Sequence, residues 1–211
     1  ICLVRTQPAE ENRHAGLSQI IIDLKRDGAK VRPIRNMAGG EDFNEVVFED
    51  VVVPKDRIVG EAGNGWAQVT SELAYERSGP ERFLSAFRVF VELVRFCGPE
   101  PTEYQATVIG RIASHIMTLR RMSISVAGML ESGKNVVVEA ALVKELGNNF
   151  EKLLPELARV VGSDGFSDFS RDGDLFRRTF EDTMLLSPSF TLRGGTREIL
   201  RGVIARGLGL R

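Results

Sequence analysis

The chain has 211 residues, 43% hydrophobic, 27% charged and 7% aromatic, with 28 Lys and Arg against 29 Asp and Glu. That length buries a sizeable core in one large domain or two small ones, and a net charge of −1 excludes a strongly basic nucleic-acid binder and an acidic disordered tail. Cys2 and Cys97 provide no disulfide framework or metal-ligand set, and no apolar run reaches the roughly 18 residues that cross a bilayer, so a reducing cytoplasm is the expected setting.

The chain opens at Ile1 inside a strand-like run, without an initiator Met, and reads as the C-terminal part of a longer protein. Short β-branched runs follow at Ile1–Val4, Gln19–Leu24, Lys30–Ile34 and Glu45–Val53. Turn residues such as Arg26-Asp27-Gly28 and Ala38-Gly39-Gly40 separate them, which predicts part of an antiparallel sandwich or barrel over residues 1–58. Pro54 cannot donate to a ladder and ends the last run. Residues 59–65, with Gly60, Gly63 and Gly65, form a linker. Their glycine spacing does not match a dinucleotide fingerprint, which also needs a parallel strand before it.

From Trp66 to Arg211 the period is helical. Val108, Ile112, Ile116, Leu119, Val126 and Leu130 follow three- and four-residue spacings, as do Leu142, Leu146, Phe150, Leu153 and Leu157. Gly133 between them predicts a helical hairpin. Gly162-Ser163-Asp164-Gly165 breaks the pattern, a further helix spans about 172–186 until Pro188 stops it, and a last one runs from about Thr196 to Leu208. The fold class is therefore α+β, a partial antiparallel β domain followed by a helical bundle.

Two places draw attention chemically. On the first helix, Trp66, Val69 and Leu73 mark a buried stripe, with Glu76 and Arg77 on its margins. A carboxylate there is either paired at the rim or kept for chemistry. Gly79-Pro80 should interrupt the same helix. At the other place, Gly194-Gly195-Thr196 precedes the last helix, where free amides suit an oxyanion or phosphate. Thr196 can cap and Glu198 suits the first turn, so a plain capped helix explains this segment as well. His14 and His115 lack partners at catalytic or metal-ligand spacing.

Four segments in order, Glu41–Pro54 (EDFNEVVFEDVVVP), Arg57–Trp66 (RIVGEAGNGW), Leu73–Gly79 (LAYERSG) and Leu192–Leu210 (LRGGTREILRGVIARGLGL), resemble the acyl-CoA dehydrogenases. The resemblance implies most of a middle β domain plus a C-terminal four-helix bundle. It implies an FAD enzyme that removes an α-proton from an acyl-CoA and passes the β-hydrogen as hydride to the flavin. Electrons then leave to an electron-transfer flavoprotein. In most members the catalytic carboxylate directly precedes the Gly-Thr before the last helix, a position held here by Gly194. In the isovaleryl and long-chain types it lies on the first bundle helix, matching Glu76-Arg77. The resemblance thus makes Glu76 the base, the Gly194 N–H the polariser of the thioester carbonyl, and Arg77 a substrate contact. Arg159, Gly162, Ser163, Thr196 and Glu198 fall where the family contacts FAD.

Some departures from the family pattern favour a second reading. Residues 88–98 keep no copy of the family's Arg-x-x-Phe-Gly flavin motif, Arg159 replaces a Gln, and Ser163 replaces a Gly. Such losses resemble members that pair with a non-identical chain and share fewer flavins, so the alternative is a non-catalytic or flavin-sharing subunit. A homo- or hetero-oligomer formed through the bundle is expected either way, and residues 1–211 alone are expected to be inactive. A flavin-dependent relative acting on a non-thioester substrate is a third possibility.

Overall fold

A computed structural model describes residues 1–9, 11–162 and 171–210, with only the backbone at 171 and 172. The chain divides into two compact units, Ile1–Leu73 and Ala74–Arg211. The division falls inside the first helix, α1 (Gly65–Ser78).

The first unit carries β1 (Cys2–Arg5), β2 (Leu17–Ile20), β3 (Ala29–Ile34), β4 (Phe43–Phe48) and the short β5 (Ile58–Val59). They form two small antiparallel sheets, β1-β2-β5 and the hairpin β3-β4, and neither closes into a barrel. Two predicted strands end early. After Ile20 the Asp23 carboxylate accepts the Lys25 N–H at 3.0 Å, a local turn that competes with the ladder. After Phe48, Asp50 takes a left-handed φ of 53°, which no strand accommodates. Gly65 starts α1 where the chain crosses β2 closely, since a side chain there would press on the Ser18 backbone. The predicted buried stripe of α1 is corrected: Val69 and Leu73 are only half-buried, and Trp66 is 39% exposed. One face of the Trp66 indole is covered by the stacked His14 ring, centroids 4.0 Å apart.

The second unit is the bundle, α2 (Phe87–Cys97), α3 (Glu103–Glu131), α4 (Val137–Val161) and α5 (Arg171–Phe190), with α6 (Arg197–Gly207) laid on α4. α3 begins at a capping box. The Thr102 hydroxyl accepts the Gln105 N–H, and the Gln105 side chain accepts the Thr102 N–H, so two orphan amides are satisfied together. Gly133, at φ 73°, takes the left-handed turn that sends the chain back as α4. α4 packs against α2, α3, α5 and α6. Val89 and Leu93 of α2, Ile112 of α3, Val143 and Leu154 of α4, and Phe176 of α5 are fully enclosed. Truncating Leu154 to alanine is expected to cost about 2–5 kcal/mol, measured as the shift in denaturant midpoint. A loss below about 1 kcal/mol would show that the core closes over the gap.

Pro188 does not stop α5, which runs on to Phe190. The proline lacks the N–H that would reach Met184, and the Ser187 hydroxyl donates to the Met184 carbonyl instead, at 3.3 Å. With its acceptor satisfied and the helix end close by, the ring is tolerated. Leu200 anchors α6 with no exposed surface. Glu145 of α4 holds both Arg197 and Arg201 of α6, at 3.2 and 3.0 Å. Among the described residues, no helix is long and apolar enough to cross a membrane.

Candidate active site

Within the second unit, the end of α1 and the segment between α5 and α6 meet over α4. Gly79-Pro80 terminates α1 at Ser78, and Pro80–Arg82 form a single 3-10 turn. This exposes helix carbonyls that need donors. The Ser123 hydroxyl of α3 donates to the Ser78 carbonyl at 2.6 Å, and Arg82 Nε donates to the Glu76 carbonyl at 3.0 Å. The same Arg82 guanidinium ion-pairs with the Glu76 carboxylate. The Arg82 side chain is 9% exposed and that of Glu76 38%.

Gly194 and Gly195 both take left-handed φ values, 68° and 107°, which few other residues adopt without strain. Arg77 Nε donates to the Gly194 carbonyl at 2.8 Å. Burial pulls the Arg77 guanidinium below its usual range, and the neighbouring Glu76 pushes it back up. A side chain at Gly194 would start 3.5 Å from Glu76 Oε1, 3.7 Å from Arg77 Cγ and 3.7 Å from Lys144 Cε. Glu76 and Gly194, far apart in the chain, therefore address the same space.

Beneath them lies a polar cluster that sequence reasoning missed. Lys144 is fully buried, and its Nζ donates to the Asn148 side chain and to the Phe190 carbonyl at 3.0 Å. Burial lowers its pKa to about 8, with Arg82 and Arg193 pushing the same way and Glu151 and Glu76 opposing them. Glu151, also fully buried, accepts the Ser85 N–H at 2.9 Å and lies 3.5 Å from Arg193. Arg193 in turn donates to the Ser85 hydroxyl at 2.7 Å. The signal was present in the sequence. Lys144, Asn148 and Glu151 recur at four- and three-residue spacing, so they share one helix face on an element otherwise read as apolar.

The remaining candidates are spread more widely. At α6, Thr196 holds an extended N-cap conformation. The Glu198 backbone N–H, and then the neighbouring Thr196 hydroxyl, hold the Glu198 carboxyl below its usual range. Arg159 is exposed and paired with Glu156 at 3.1 Å. A side chain at Gly162 would overlap the Phe176 ring, so packing alone accounts for that glycine. Ser163 lies outside the described residues. The residues that would hold a flavin divide into two groups. At the α6 end, Gly194 and Gly195 put no side chain over their own backbone amides, and the nearest side-chain atoms to a Cβ built at either lie at 3.5 Å, which is compatible with a flat ring. Gly162 supplies no such argument.

The sequence pattern described as acyl-CoA dehydrogenase, C-terminal domain, matches residues 63–209. The chain is 31% identical to acyl-CoA dehydrogenase IpdE1 of Mycobacterium tuberculosis over 99% of its own length and 54% of that protein. It is 28% identical to acyl-CoA dehydrogenase FadE34 of the same organism, over 99% of this chain and 28% of that one. The chain therefore spans about half or less of these relatives. Its fold superposes on the Tcur3481–Tcur3483 steroid acyl-CoA dehydrogenase with a TM-score of 0.82 at 22% identity, covering 99% of this chain and 56% of that one. On the ChsE4–ChsE5 complex of M. tuberculosis the TM-score is 0.78 at 25% identity, over 99% and 56%. The match across the whole bundle places this chain in the acyl-CoA dehydrogenase family of flavoprotein oxidoreductases.

Proposed function

We propose that the chain is the base-bearing C-terminal part of an FAD-dependent acyl-CoA dehydrogenase. The observation that carries this reading is the convergence of Glu76 on the space above Gly194. A carboxylate reaches the same point from α1 that a side chain at 194 would reach from the other side. In this reading Glu76 takes the α-proton, and the Gly194 N–H polarises the thioester carbonyl. An amide needs no side chain for that role. Arg77 holds the Gly194 carbonyl and so fixes the plane of the peptide that follows it. Thr196, Glu198, Arg159, Gly162 and Ser163 are the proposed flavin contacts. Bound FAD supplies the acceptor for the β-hydride, and the electrons pass on to an electron-transfer flavoprotein.

A second reading, a subunit that completes another chain's site, draws on Arg159, on Ser163 and on the absence of the flavin motif over residues 88–98. Arg159 is engaged by its own helix neighbour. Two structural relatives are themselves two-component assemblies by name. The test uses the full-length protein, purified alone and co-expressed with a dehydrogenase-like partner chain. Oxidised flavin absorption that bleaches on anaerobic addition of an acyl-CoA is the expected result. The acyl-CoA panel should include a steroid acyl-CoA and cyclohexane-1-carbonyl-CoA, after the groups named in two relatives. Bleaching only in the co-expressed sample selects the shared site, and no bleaching in either sample overturns the proposal.

A further inference from the structure

The geometry points to Arg82 as a positioning residue that aims the Glu76 carboxylate at the space over Gly194. This rests on the reading of Glu76 as the base. One guanidinium grips Glu76 at two points, the main-chain carbonyl through Nε at 3.0 Å and the carboxylate through Nη2. A side chain tethered to its own backbone through a third, rigid group loses most of its rotamer freedom, and a planar fork is the group suited to that task. Lysine, a point charge on a flexible stem, cannot hold both acceptors in one plane.

The anchor itself is fixed from behind. Arg82 is buried, and a side chain at Gly147 of α4 would overlap the Arg82 carbonyl oxygen. The absence of a side chain at 147 is therefore what lets the 3-10 turn sit down on α4. The Gly79-Pro80 interruption creates that turn. An unbroken helix would carry residue 82 two-thirds of a turn past the Glu76 face and away from its carboxylate. Gly147, the broken helix, Arg82 and Glu76 thus form one mechanical chain, and its last link is the carboxylate over Gly194.

The experiment compares Arg82→Gln, Arg82→Lys and Gly147→Ala in the full-length protein, with Glu76→Gln alongside. The first readout needs neither flavin nor substrate. It is the rate at which a water-soluble carbodiimide and an amine label Glu76, followed by peptide mass spectrometry. Freed from its guanidinium, Glu76 should label at least several-fold faster in Arg82→Gln. The second readout is the kinetic split. A misaimed base should lower kcat by about 10- to 10²-fold while KM stays within about threefold. Arg82→Lys and Gly147→Ala should fall between this variant and wild type. They also keep the test decisive if Arg82→Gln fails to fold. Unchanged labelling in these variants overturns the inference, as does wild-type kcat in Arg82→Lys and Gly147→Ala when Glu76→Gln is inactive. An active Glu76→Gln overturns the assignment of the base instead, and with it any catalytic role for Arg82. Labelling would then still report whether the contact exists.

Discussion

Glu76→Gln in the full-length protein is expected to lower turnover by about 10²-fold or more, the usual contribution of a positioned general base. Glutamine keeps the size of the side chain and one oxygen to accept from Arg82, so the broken end of α1 should hold its shape. It removes the proposed acceptor for the α-proton. Stopped-flow bleaching of the flavin by acyl-CoA measures the loss, with flavin content and acyl-CoA affinity as controls. Both controls should stay near wild type. Turnover within a few-fold of wild type would return Glu76 to the status of a rim residue paired with Arg82.

The second large effect is one of stability and follows from Lys144. Its ammonium, stripped of water, releases its proton near pH 8 in the folded chain, whereas an unfolded lysine holds it until about pH 10.4. Between those values the unfolded state binds more protons, so stability rises with pH. The contribution is fully present above about pH 10.4 and is lost as the pH falls to 8. Relative to Lys144→Met, the wild-type chain should gain roughly 3 kcal/mol across that window. The variant also leaves the Phe190 carbonyl and the Asn148 oxygen without a donor, a cost that shifts both ends equally. Denaturant unfolding of both proteins between pH 7 and 10.5 gives the difference curve. A flat difference would mean that Glu151 compensates the buried ammonium fully.

Element types were legible where a local rule settled them. The spacing of Ile112, Leu119, Phe150 and Leu157 announced two helices because one buried face forces a 3.6-residue period. Gly133 between those two helices, and Gly79-Pro80 at the end of α1, announced helix ends because backbone geometry leaves those residues few alternatives. Pro188 misled because the same local rule gave way to one hydroxyl, from Ser187, that occupies the freed carbonyl. The strand ends near Ile20 and Phe48 were decided by the Asp23 turn and the left-handed Asp50, neither visible in β-branched composition. In the site, the pairing of Glu76 with Gly194 was suggested by resemblance, but their meeting in space depends on helix packing. Arg82, Lys144 and Glu151 stayed hidden for the same reason. A charged residue looks solvated in sequence until the fold supplies its partners.

The left-handed backbone at Gly194 has a historical consequence. On the proposed role of Glu76, a lineage that moves the base between α1 and the α5–α6 segment must pass through a chain with both carboxylates or with neither. With both, two carboxylates would start within a few ångströms of each other, and one would be driven to hold a proton. With neither, there is no acceptor. Once position 194 has settled at φ 68°, any L-residue placed there pays about 1–2 kcal/mol of backbone strain before its side chain does anything. Reversal therefore needs the segment to re-form as well as the residue to change. The backbone works as a ratchet on the lineage, and descendants of this chain should vary at 194 far less readily than at the exposed positions beside it.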